Sequence, residues 1–360
     1  MKNKRYLVTL IAYTSAIVAL MFLQIAVSLG CFNGLSEPAL EVIGSVLPQV
    51  CIMFGIPFFI LLAVQKINHE TVSIKAINNQ VSWQRIAPKH VALCFVLGIC
   101  IFFLNLFVGS VFANLLNAFG WQSIYKGDEI VFHGYAGLLF ALVLNAVLPA
   151  LCEEFLHRGV LLNGLVKQFG VRRALLWSSL LFGLMHMNVG QFFYASILGW
   201  FMGTVALATG SLWGSIIIHF TNNALATYIN YGDELYLPGI KFILTVARNP
   251  IVLILAVLVA FFVVGEVIRH IAREKFKRNL DSYTVRYLAS QKQFGVEDFD
   301  RLKAALPTAL QTLPTWKATA AYIETFDQPQ PSKPVERALL TFVVLLGTVS
   351  TILSFVWGTW

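Results

Sequence analysis

Tyr6–Gly30, YLVTLIAYTSAIVALMFLQIAVSLG, runs its whole length without one charged side chain. About 20 apolar residues in a helix cross the hydrocarbon of a bilayer, so this stretch reads as a membrane span. The pattern repeats along the chain at Val42–Gln65, Val91–Phe119, Tyr135–Val166, Ala174–Met187, Gln191–Ala208, Ser211–Ile229, Asn249–Ile268 and Ala338–Trp360. Between Ala174 and Gly232 no Lys, Arg, Asp or Glu occurs at all. Across the 360 residues, 58% are hydrophobic and 12% charged, where soluble domains carry about 25% charged residues. The fold class that follows is an all-α polytopic membrane protein, a bundle of eight or nine transmembrane helices.

The net charge of +8 is distributed as a membrane topology requires, and nucleic acid is not needed to explain it. Basic residues gather at Lys2, Lys4 and Arg5, at Lys66, Lys75, Arg85 and Lys89, at Lys167, Arg172 and Arg173, and most densely from Arg269 to Arg278. Cytoplasmic loops carry such an excess of Lys and Arg. Alternating helices put all four clusters on one side and the segments Cys31–Ala39 and Trp121–His133 on the other. The expected setting is a plasma (inner) membrane with a cytoplasmic N-terminus. A signal-peptide core is about 7–15 residues; the first apolar run is longer and lacks an A-x-A-like site, so an uncleaved first helix is expected. The five cysteines are scattered and suggest neither a disulfide framework nor a Cys-rich metal site.

Composition divides the chain further. Residues 1–133 hold N-terminal spans and loops, 134–232 a polar-bearing helical core, and 233–268 one further span with its preceding loop. Residues 269–337 are polar and end in the Pro-rich stretch Gln328–Pro334; they read as a cytoplasmic helical segment and a linker. Residues 338–360 form a final span.

Against this background Glu153-Glu154-Phe155-Leu156-His157-Arg158 is an anomaly, because an ionised group inside hydrocarbon is costly and marks a functional site by default. Two polar pairs follow, Phe182 with His186 and His219 with Asn223. A helix rises 1.5 Å per residue, so Glu153, 14 residues before Lys167, lies roughly 21 Å from that flank. His186, 14 after Arg172, and Asn223, 13 after Gly210, come to roughly 21 and 20 Å. Three helices thus bring polar side chains to one depth.

Spacing separates the two carboxylates. Glu154 and Arg158 stand four apart and can pair along one helix face, which leaves Glu153 free for proton transfer. His219 and Asn223 also share a face, and Phe182 can pack under the His186 imidazole. Each element alone has a plainer explanation: a Glu–Arg pair can clamp a helix, and His or Asn can bond helices together. In order, on successive helices and at matched depth, they point to an intramembrane polar site. His69, His90, His133 and His270 fall near segment ends, and His157 is turned off the Glu154–Arg158 face.

The three motifs, Glu153-Glu154-x-x-x-Arg158, Phe182-x-x-x-His186 and His219-x-x-x-Asn223, resemble the signature of the CAAX-protease and bacteriocin-processing family of intramembrane endopeptidases. The resemblance covers Leu148 to Ala224. It implies hydrolysis of a peptide bond in a membrane-associated peptide or protein, lipidated or not. It further implies that Glu153 is the catalytic glutamate and that His186 positions or activates water. His219 and Asn223 would stabilise the oxyanion, with Glu154 and Arg158 as a supporting pair. No cofactor is required by this reading. Zinc is the alternative, since Glu and His can supply an open site, although no His-Glu-x-x-His motif is present. Two readings from other classes are a transporter, whose charges would mark an ion path, and a non-catalytic membrane binding or immunity protein.

Overall fold

The computed structural model describes residues 4–121, 130–291 and 332–358, and every regular element among them is helical. Twelve helices are labelled in chain order: α1 Lys4–Ser28, α2 Glu37–Ile67, α3 Ile74–Gln80, α4 Pro88–Ala118, α5 Gly134–Phe169 and α6 Val171–Met185, then α7 Val189–Thr209, α8 Leu212–Asn230, α9 Gly232–Leu235, α10 Ile240–Arg248, α11 Pro250–Gln291 and α12 Pro334–Gly358. The Pro-rich stretch up to Pro331, most of the Trp121–His133 loop and Lys2 lie outside the described residues. The helical part of the polar segment after Arg269 is a continuation of α11.

Among the described residues, seven helices are long and apolar enough to cross a membrane: α1, α2, α4, α5, α7, α11 and α12. The expectation of eight or nine counted α6 and α8 as well, and both exist as helices. α6 has only 15 residues, about 22 Å of rise, short of the roughly 30 Å of hydrocarbon. α8 is longer, but His219, Thr221, Asn222 and Asn223 interrupt its apolar sequence. The residues that make α8 interesting are the ones that lower its hydropathy. The chain is a multi-pass membrane protein.

Its surface and interior invert the soluble pattern. Phe59, Leu258 and Phe262 on outer helices are more than 60% exposed, as befits side chains whose solvent is lipid. Glu153, Glu154, His157, Arg158, Ser178, Ser179, Ser215 and His219 are buried. With lipid as apolar as leucine, helices associate through close packing and hydrogen bonds instead.

Short turns set the hairpins that carry the site. α6 and α7 pack together across the turn at His186–Asn188, where Asn188 accepts from the Gly190 and Gln191 amides and starts α7. Gly210, at φ +70°, ends α7, and Ser211 caps α8 by accepting from Trp213 N. α8 then runs against α4 and α5. Glycine allows the α6–α7 approach: a Cβ on Gly183 would stand 2.6 Å from the Phe192 carbonyl oxygen, a contact that backbone cannot relieve by rotating a side chain. Gly183→Ala is therefore expected to force the hairpin apart, at a cost of about 1–3 kcal/mol. A fall in the thermal unfolding midpoint in detergent would register it; an unchanged midpoint would count against this packing.

Candidate active site

The site begins with a backbone irregularity. α5 is interrupted by π-helical turns at Val143–Val147 and Phe155–Leu162, directly before and after the segment Leu148–Glu154 that carries the carboxylates. α2 has a third at Leu47–Gly55. Such turns cluster at functional sites because they re-aim side chains. Pro149 contributes in a second way. Proline has no N–H to give within the helix, and the turn before it is π-helical, with Leu148 N–H reaching the Val143 carbonyl. Within that turn the Asn145 carbonyl accepts from Asn223 Nδ2 at 3.1 Å, which ties a side chain of α8 to α5.

The two carboxylates have separate surroundings, as their spacing suggested. Glu154 Oε1 accepts from Arg158 Nη1 at 2.6 Å and faces His219 Nδ1 at 3.0 Å. Arg158 spreads its charge further: Nη2 donates to the Gly199 carbonyl at 3.1 Å, and Cζ lies 4.3 Å from the centroid of the Phe182 ring. Glu153 has no cation bonded to it. Its Oε1 accepts from Gln49 Nε2 of α2 at 2.8 Å. Its Oε2 is buried without a hydrogen bond and lies 4.0 Å from His219 Nε2.

His219 therefore stands between the carboxylates, with Nδ1 on Glu154 and Nε2 toward Glu153. A bond at one ring nitrogen fixes the orientation and tautomer of the other. Since an ionised carboxylate only accepts, Nδ1 carries the proton here.

His186 follows the last residue of α6, and Met187 then turns the chain with a φ of +49°. Its ring packs on the edge of Phe182 at 5.4 Å between centroids. Among the described residues it makes no side-chain hydrogen bond, and the imidazole found beside Glu153 is that of His219. Phe182 is the shared surface: it also meets His157 at 4.9 Å and His219 at 5.9 Å, all edge-on. An aromatic at helical spacing usually fills core, and that pattern hid its role as a wall for three imidazoles and a guanidinium. His157 points to the other side, against Met185 Sδ at 3.0 Å and the Tyr13 ring.

Asn223 belongs to a chain of amides that the motifs do not include. Asn105 of α4 donates to Asn222 Oδ1 at 2.9 Å, and Asn222 donates to Asn223 Oδ1 at 3.1 Å. This run fixes the Asn223 flip, with its carbonyl satisfied and its NH2 outward. One of the two N–H groups goes to Asn145 and one is left for a ligand. Among the described residues no three His, Cys, Asp or Glu side chains converge so as to hold a metal ion.

Buried Glu153, Glu154, Arg158 and His219 and the partly buried Asn223 thus lie within a bundle of apolar helices. Comparison with known families finds one match: residues 129–225 are similar to the Rce1-like family, described as type II CAAX prenyl endopeptidase Rce1-like. No curated protein and no solved structure matches the chain.

Proposed function

We propose that the chain is a glutamate-dependent intramembrane endopeptidase, and that Glu153 is its general base. The observation that carries this reading is the asymmetry of the pair: each carboxylate keeps a buried Oε2 without a hydrogen bond, but Glu154 is bonded to the Arg158 guanidinium and faces His219, while the hydrogen bond to Glu153 comes from the uncharged Gln49 amide. A carboxylate in hydrogen-bond reach of a water can take its proton.

Water attacks the substrate carbonyl as Glu153 Oε2 accepts its proton. The tetrahedral intermediate then collapses, and the same proton passes to the departing amine nitrogen. One water is consumed, and a carboxyl and an amino terminus are released. His186, on the Phe182 wall, helps to position the water. His219 and Asn223 line the side of the site where the oxyanion develops. Nδ1–H of His219 is spent on Glu154, so the free N–H of Asn223 is the donor to that oxyanion, with His219 packed beside it. Donors fixed in advance in a water-poor site stabilise such charge strongly.

The substrate in this reading is a membrane-associated peptide or protein with a lipidated cysteine near its C-terminus, which the surrounding lipid-facing helices can admit from the bilayer. The cytoplasmic side is assigned to the N-terminus and to the basic clusters, where the positive-inside rule puts them.

The test is hydrolysis of a prenylated CAAX peptide in proteoliposomes, read by mass spectrometry. Wild-type protein should cleave it, including after metal is stripped with a strong chelator. Glu153→Gln should insert normally and lose at least about 100-fold in rate, the lower range of general base contributions. Undiminished cleavage by this variant would remove Glu153 from the role.

A further inference from the structure

Among the described residues, no side chain within 130–225 makes a hydrogen bond to the Glu153 carboxylate; His219 Nε2 stands 4.0 Å away. The carboxylate's one hydrogen bond comes from Gln49, on α2, a helix outside the matched domain. Pro48 and the π-helical turns of Leu47–Gly55 place this residue, which is partly buried. The geometry of the pair is specific. Gln49 Nε2 donates to Oε1 at 2.8 Å, and Oε2 on the same carboxylate is left without a partner. Gln49 Oε1 is also buried and has no partner.

We propose that Gln49 is a positioning residue for the proposed peptidase reaction: it holds Glu153 Oε1, so that Oε2 faces the reacting water, and keeps its own carbonyl for a donor brought by the substrate.

The choice of a neutral amide matters. A bonded cation would hold the carboxylate in its charged form and weaken it as a base, as Arg158 does for Glu154. An amide fixes the rotamer with a weaker, uncharged bond. It cannot give up a proton, so it does not compete with water. The carbonyl of Gln49 has no use within the protein, and a buried acceptor left unpaired costs about 1–3 kcal/mol. The main-chain N–H of a bound peptide is a donor of the right kind. The other ionisable groups around Glu153 are Cys152, Glu154 and Arg158 on its own helix, His219 on α8 and His186 at the end of α6. From α2 the contact is the amide alone.

This inference rests on the reading of Glu153 as the base, and its test separates the two. The protonated-carboxyl infrared band of Glu153, assigned by its loss in Glu153→Gln, is titrated in wild-type protein and in Gln49→Glu. The variant puts a second carboxyl against Oε1. Like charges at that distance share a proton, so the midpoint should rise by about one pH unit or more. Gln49→Met, of similar size without donor or amide acceptor, should lower kcat by roughly 10–100-fold, the range for lost supporting hydrogen bonds, and also raise KM for the prenylated CAAX peptide, whose N–H loses its acceptor. An unmoved midpoint in a folded Gln49→Glu protein overturns the contact. Wild-type kcat in Gln49→Met overturns the positioning role. If Gln49→Glu fails to insert, the kcat of Gln49→Met decides. Normal cleavage by Glu153→Gln would instead overturn the base assignment itself, whatever the Gln49 variants do.

Discussion

Glu154 and Arg158 meet at 2.6 Å with neither side chain exposed, and the arrangement of four helices follows from keeping that pair satisfied. A lone charge in this interior would be prohibitive, and breaking a buried pair costs about 3–5 kcal/mol because the survivor is left uncompensated. The pair recruits neighbours on three other helices, while Glu154 Oε2 and Arg158 Nε stay buried without a partner. Arg158 takes the Gly199 carbonyl of α7 and the Phe182 face of α6; Glu154 takes His219 of α8. The chemistry-bearing atoms are positioned as a consequence. His219 is turned by its bond to Glu154, and that turn presents Nε2 to Glu153.

The bundle can afford this interior because its exterior is lipid. Large apolar side chains line the outer helices, and small residues let the inner ones approach; a Cβ on Gly199 would lie 3.3 Å from Arg158 Nη2. Irregular backbone is tolerated inside a membrane only where protein or a cavity covers it. The π-helical turns of α5 obey that rule, with α2 and α8 packed against them. Within one of them the Asn145 carbonyl accepts from Asn223 of α8.

Much of this was legible in the sequence. Apolar runs gave the helices, and counting residues from basic flanks put Glu153, His186 and Asn223 at one depth. The i,i+4 spacing separated Glu154 from Glu153. Other parts were hidden for physical reasons. Span counting treated α6 and α8 like the other apolar runs, yet α6 is short and α8 is polar. Gln49, Asn105 and Asn222 act through contacts between helices distant in the chain, which periodicity does not report. Gln49 had one signal, as an amide inside an apolar run. Phe182 was placed under His186 but reaches His157, His219 and Arg158 as well.

The central claim is a division of labour between adjacent carboxylates, Glu154 structural and Glu153 chemical. Thermal unfolding of Glu153→Gln and Glu154→Gln, in the same detergent and beside the wild type, tests it most directly. The expected result is a large drop in midpoint for Glu154→Gln, which strands Arg158, and a midpoint near wild type for Glu153→Gln. Equal losses, or a stable Glu154→Gln beside an unstable Glu153→Gln, would contradict it.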